Sequence, residues 1–97
     1  MPSPQRRAAM SPALVAFGRQ LRRYREAAGL SQARIGSRTG TTASFVSQVE
    51  NGFGRVPSES LEAWARAVGV PPGEFARKLL AFYDPTLHRL LFEDSGA

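Results

Sequence analysis

Apolar residues in the N-terminal third of the chain return every three or four positions, which is the spacing of a helix with one buried face. Leu14, Phe17, Leu21, Tyr24 and Ala28 form the first stripe, with Arg19, Arg22, Arg23 and Glu26 mostly off it. Ser11 stands where an N-cap is needed and Pro12 where a missing N–H costs nothing, so a helix is predicted to begin there. Gly29 is placed to end it in a left-handed conformation, with Leu30 as the accompanying apolar contact.

The same punctuation divides the rest. Ser31 caps a short second helix that runs to Arg38 and stops at Gly40; Thr41 or Thr42 caps a third, which runs to about Asn51 with Gly52 as its terminator. Residues 45–49 contain β-branched side chains that suit a strand, but the cap before them and the glycine after them argue for helix. Pro57 and Ser58 open a fourth helix with Leu61, Trp64, Ala65 and Val68 facing the core and Gly69 closing it. Pro71 and Pro72 open a fifth that runs to about Tyr83, and Asp84 with Pro85 restarts a last helical turn or two carrying Leu87, Leu90, Leu91 and Phe92. Short connections and the lack of a credible strand pair predict an all-α fold, a compact bundle of five helices with a short C-terminal helical extension. Residues 1–10 read as a flexible basic arm, residues 11–83 as the domain, and residues 84–97 as an extension ending in a frayed tail.

Composition removes most catalytic chemistry. Cys is absent and His88 is the single His, so disulfides, Cys/His zinc sites and Cys/His catalysis are all excluded. No acid, base and nucleophile converge in the pattern, which predicts a protein that is not an enzyme and needs no cofactor or metal. There is no stretch of about 18 apolar residues and no apolar core of a signal peptide, so a cytoplasmic location is expected. The formal net charge of +5 over 97 residues is uneven. Residues 1–30 carry six Arg against Glu26, whereas residues 84–97 carry Arg89 against Asp84, Glu93 and Asp94. Twelve of the thirteen basic residues are Arg, whose planar fork suits phosphate oxygens. Charge alone is equally consistent with a solvated face and with nucleic-acid binding.

The third helix narrows the choice. Stepping about 100° per residue places Val46 and Val49 on one side and Ser44 and Gln48 on the other, with Ser47 and Phe45 flanking the outer face. Gln48 can pair with adenine through two hydrogen bonds and Ser44 is a short, versatile contact. The methyls of Thr42 and Ala43, or the ring of Phe45, can meet a thymine methyl. Taken alone, a small polar outer face is read first as ordinary solvent-facing surface.

The surrounding sequence changes that weighting. Gly29-Leu30-Ser31-Gln32, then Ser47-Gln48-Val49-Glu50-Asn51-Gly52, then Pro57-Ser58 occur at separations that resemble the phage-repressor and Xre-type helix-turn-helix family, over about fifty residues from Leu21 to Val70. The resemblance implies a lambda-repressor-like DNA-binding domain with its helix-turn-helix at residues 31–51. It also implies a bacterial or phage-encoded regulator that associates with the nucleoid when bound. It assigns base reading in the DNA major groove to Thr42, Ala43, Ser44, Phe45, Ser47 and Gln48, and phosphate contacts to Gln32, Asn51 and Arg55. Arg25 and Glu50 match a largely buried ion pair between the first and third helices. The chain departs from the family pattern at Gly36, which replaces a usual Ala and permits close packing, at Thr41, which replaces an apolar turn residue, and at Ala43, which offers no hydrogen bond.

The fifth helix has an apolar arc of about 160°, wider than one core requires. With the extension it predicts a homodimer interface formed by Leu80, Tyr83, Leu87, Leu90, Leu91 and Phe92. A terminal turn folded back on its own core is the alternative. The leading functional expectation is a sequence-specific transcriptional regulator, most simply a dimeric repressor of a near-palindromic operator, with autoregulation among its modes of control. The alternative is an antitoxin of a toxin-antitoxin pair or the controller protein of a restriction-modification operon, in which an unlike protein partner gives the DNA contact its purpose.

Overall fold

A computed structural model describes residues 11–93 of the chain, and the expected arm at 1–10 and the last four residues lie outside that range. The described residues form six α-helices: α1 (Pro12–Ala27), α2 (Gln32–Thr39), α3 (Ala43–Glu50), α4 (Leu61–Val68), α5 (Pro72–Tyr83) and α6 (Pro85–Phe92). Among them there is no strand, so the all-α architecture expected from the periodicity holds.

Local signals set the helix ends. The side chains of Ser11, Ser31, Thr42 and Asp84 each accept a hydrogen bond from the backbone N–H three residues on, which makes Thr42 rather than Thr41 the cap of α3. At the other ends, the N–H of Leu30, Thr41, Phe53 and Val70 each reaches back five residues to a carbonyl of the last turn. This closure needs a left-handed residue just before, and glycine supplies it each time with φ of 71°, 70°, 84° and 74° at Gly29, Gly40, Gly52 and Gly69. One boundary differs from expectation. Pro57 and Ser58 open a 3₁₀ turn over Ser58–Ser60, and the α-helix starts only at Leu61. No side chain caps either start, so the tighter turn carries the chain into α4.

The core is built from Phe17 and Leu21 of α1, Ile35 of α2, Val46 and Val49 of α3, Trp64 and Val68 of α4 and Phe75 of α5, all buried. Each large apolar side chain contributes about 1.5–3 kcal/mol by leaving water. Phe17 lies at its centre, edge-on to Phe75 at 5.8 Å and to Phe82 at 6.3 Å. Of the stripe expected on α1, Leu14 and Tyr24 are half-buried and Ala28 is exposed, because α1 ends at Ala27 and the chain turns away. Val56, in the connection before α4, is buried although no periodic pattern marks it. Arg38 donates from Nη1 to the Ala67 carbonyl at 3.2 Å, tying the end of α2 to the last turn of α4.

Close backbone contacts hold α3 in place. A Cβ at Gly18 would lie 2.5 Å from the Val49 carbonyl oxygen, and one at Gly36 would lie 2.7 Å from the Thr42 carbonyl carbon. Only a hydrogen at these positions lets α1 reach the end of α3 and α2 reach its beginning. The packing role expected for Gly36 is what the structure has; the equivalent role of Gly18 was not anticipated.

Candidate nucleic-acid interface

The turn between α2 and α3 is only Gly40-Thr41-Thr42, and hydroxyl groups stiffen it. Thr39 Oγ1 lies 2.8 Å from the Ile35 carbonyl oxygen, to which it donates, and 2.8 Å from Thr41 Oγ1. Thr42 Oγ1 accepts from the Phe45 N–H at 3.0 Å, so its hydroxyl is used as a cap. With Val46 and Val49 fully buried, α3 is fixed in rotation, and Thr42, Ala43, Ser44 and Gln48 are left exposed together.

Two other residues expected to read bases are less exposed than these four. Phe45 is half-buried against the core with its ring edge-on to Trp64 at 6.1 Å, so its ring is turned away from the outer face. Its flanking position on the helix was ambiguous, and the contact with the Trp64 indole resolves it. Ser47 is half-buried; its carbonyl oxygen accepts from Asn51 Nδ2 at 2.8 Å and its Oγ at 3.3 Å. Asn51, expected at a phosphate, is thereby turned back onto the end of α3.

Behind the exposed face is a charged clamp. Arg25 Nε donates to Glu50 Oε2 at 2.6 Å, Nη2 to Oε1 at 3.0 Å, and Nη1 to the Leu30 carbonyl at 2.9 Å. Gln32 Nε2 donates to Glu50 Oε1 at 3.0 Å. The Glu50 side chain is 2% exposed and that of Arg25 13%, so the two-pronged pair is largely out of water. Hydrogen bonding to Glu50 pushes the Arg25 guanidinium pKa upward against the opposing effect of burial. Three helices meet at this one carboxylate: α1 through Arg25, the start of α2 through Gln32, and α3 through Glu50 itself.

The helix-turn-helix domain family matches residues 16–77, well over half of the chain. The chain belongs to that family. The match is consistent with the phage-repressor and Xre-type resemblance of the motif, and a helix-turn-helix domain implies DNA binding and a regulatory role. No curated protein and no solved structure is significantly similar to the chain.

In the helix-turn-helix frame, α2 and α3 are the paired helices and α3 takes the place of the recognition helix. Arg55, expected at a phosphate, is exposed, and its guanidinium carbon lies 4.2 Å from the centroid of the Tyr83 ring. Gly52 is buried against Val15, which brings the segment after the recognition helix to the start of α1. Phe53, next to it, is 45% exposed and was not singled out by sequence. Among the described residues no group of His, Asp and Glu is arranged to hold a metal ion, and no helix is long and apolar enough to cross a membrane.

The expected dimer residues fall into two groups. Leu80 and Tyr83 are half-buried, and Tyr83 packs on Phe17 at 5.3 Å within its own chain. Leu87, Leu90, Leu91 and Phe92 are 42–51% exposed on α6, which buries no residue and packs chiefly on α5. Phe92 lies under the Arg77 guanidinium at 4.5 Å, leaving Leu87, Leu90 and Leu91 as the stripe free of such a contact.

Proposed function

We propose that the protein is a sequence-specific transcriptional regulator that occupies a near-palindromic operator as a homodimer and, most simply, represses. The observation that carries this reading is the exposed face of α3: Ser44 and Gln48 stand in solvent on a helix whose rotation is fixed by two buried valines and whose end is clamped by Arg25 and Gln32. That rigidity is what direct readout needs, since each base contact depends on placing a donor and an acceptor within tenths of an ångström. Gln48 pairs with an adenine edge and Ser44 with a neighbouring base. Gln32 braces the carboxylate behind the helix and directs the start of α2 toward the phosphates.

The dimer rests on the leucines of α6. A helix with no buried residue gains its apolar contact only from another surface, and a second copy supplies a matching stripe about a two-fold axis. The two recognition helices then lie about 34 Å apart, one DNA turn. The same stripe serves the antitoxin or controller reading if an unlike protein covers it; a monomer alone that becomes a heterodimer with a neighbouring gene product would favour that reading. The experiment that tests operator recognition selects duplexes from a random pool with the full chain, then compares Gln48→Ala and Ser44→Ala on the selected site and on random DNA. Discrimination should fall about five- to a hundredfold for Gln48→Ala, equivalent to ~1–3 kcal/mol, and less for Ser44→Ala. Unchanged discrimination in both variants would overturn the assignment of α3.

A further inference from the structure

Arg55 and Tyr83 meet across the fold, one beyond the recognition helix and the other at the end of α5, and neither element predicts the other. The backbone at Arg55 has little freedom. Upstream, Gly52 is pressed against Val15 and the Phe53 N–H donates to the Gln48 carbonyl at 2.8 Å; downstream, Val56 is buried in the core. Between these anchors the Arg55 guanidinium carbon sits over the Tyr83 ring, 4.2 Å from its centroid. The tyrosine is itself fixed, because Phe17, fully buried, packs on it. Its Oη is buried, and burial pushes the phenol pKa up while the charge and hydrogen bonding of the nearby Arg55 pull it down less strongly. Packing on Phe17 holds the ring. A guanidinium held over a ring still has N–H donors free for a further partner.

We propose that Tyr83 is a positioning residue for DNA binding: its ring holds the Arg55 guanidinium so that its free N–H groups face a backbone phosphate beyond the end of α3. This rests on the reading of the protein as a DNA binder with Arg55 at a phosphate. A free arginine loses rotamer freedom when it binds, whereas one held over a ring has lost much of it on folding, so the contact forms at smaller entropic cost. Tyr83 is also the last residue of α5, and the next residue, Asp84, caps α6. The phosphate contact is thus anchored at the foot of the helix proposed to hold the second copy.

The test measures affinity of the full chain for a selected duplex and a random duplex over a range of salt. The proteins are wild type, Arg55→Ala, Tyr83→Leu, Tyr83→Phe and the Arg55→Ala/Tyr83→Leu pair. Arg55→Ala should weaken both duplexes alike and lower the salt slope by about 1. Tyr83→Leu should weaken binding about two- to tenfold, the scale of immobilising one rotamer-rich side chain. Tyr83→Phe should bind as wild type, and Tyr83→Leu should add nothing once Arg55 is gone. Wild-type affinity in Tyr83→Leu, or a loss that persists undiminished without Arg55, overturns the proposal and leaves the DNA-binding reading intact. If Tyr83→Leu does not fold, the wild-type protein decides by NMR. Arg55 δ-methylene protons shifted upfield by the ring in both free and DNA-bound states support the proposal, and unshifted protons in either state overturn it. A wild type that binds neither duplex overturns the underlying reading as well.

Discussion

At α3 a carboxylate is buried while the outer face of the same helix is polar: Glu50 is 2% exposed in its side chain, and Ser44 and Gln48 stand in water. At α6 the arrangement is inverted, for no residue is buried and the exposed positions include Leu87, Leu90 and Leu91. The first helix is completed within one chain, since every hydrogen bond that Glu50 needs comes from α1 and α2. The second is incomplete in one chain, because its apolar stripe has only α5 beside it. Rigid support from behind with a polar front suits the base reading proposed for α3, and an apolar face left available suits the protein contact proposed for α6.

Three substitutions can break or sharpen that contrast. The largest effect belongs to Glu50→Ala, which strands the Arg25 guanidinium and leaves Gln32 without its acceptor. Unfolding stability should fall by about 3–5 kcal/mol in urea titration, and a fall below about 1 kcal/mol would mean the clamp is not buried in solution. Gly18→Ala comes next. Its Cβ meets the Val49 carbonyl, backbone that cannot swing aside as a flexible side chain would, so α1 and α3 must separate at a cost of about 1–3 kcal/mol. If α3 reads bases as proposed, affinity for a selected duplex should fall with it, because α3 is the helix displaced. Leu90→Glu is expected to be the mildest for the protomer, within about 0.5 kcal/mol, as for other exposed positions. Sedimentation should nonetheless show the proposed dimer converted to a monomer, with circular dichroism unchanged. An unaltered sedimentation coefficient would remove α6 from the interface and collapse the contrast between the two ends.

Much of the fold was legible in the chain because helix ends are local. Ser11, Ser31 and Asp84 bond to the third residue beyond them, and Gly29, Gly40, Gly52 and Gly69 relax the turn right after each helix, so a window of a few residues contains the cause and the effect. The motif from Gly29 to Ser58 was legible for a similar reason, since its caps, glycines and polar face recur at set separations. The 3₁₀ start of α4 was not, as Pro57 and Ser58 are equally good openings for either helix type. An isolated glycine within a helical stripe, Gly18, was an available signal of close approach, but nothing local says what approaches.

The residues that sequence could not place are those whose surroundings lie far along the chain. Phe45 sat on the boundary between core and outer face, and Trp64, nineteen positions on, drew its ring inward. Val56 is buried without periodicity because a loop follows no helical wheel. Arg55 finds Tyr83 only after five helices have packed. Taken by itself, the sequence determined where helices begin and end and which face of the third is polar, because those follow from backbone bonding and spacing over one or two turns. Tertiary structure alone decided which borderline side chains face the core, how closely α1 approaches α3, and where the phosphate-binding candidates point. Those outcomes depend on excluded volume and on burying charge with its partners, and neither is defined until distant segments share the same space.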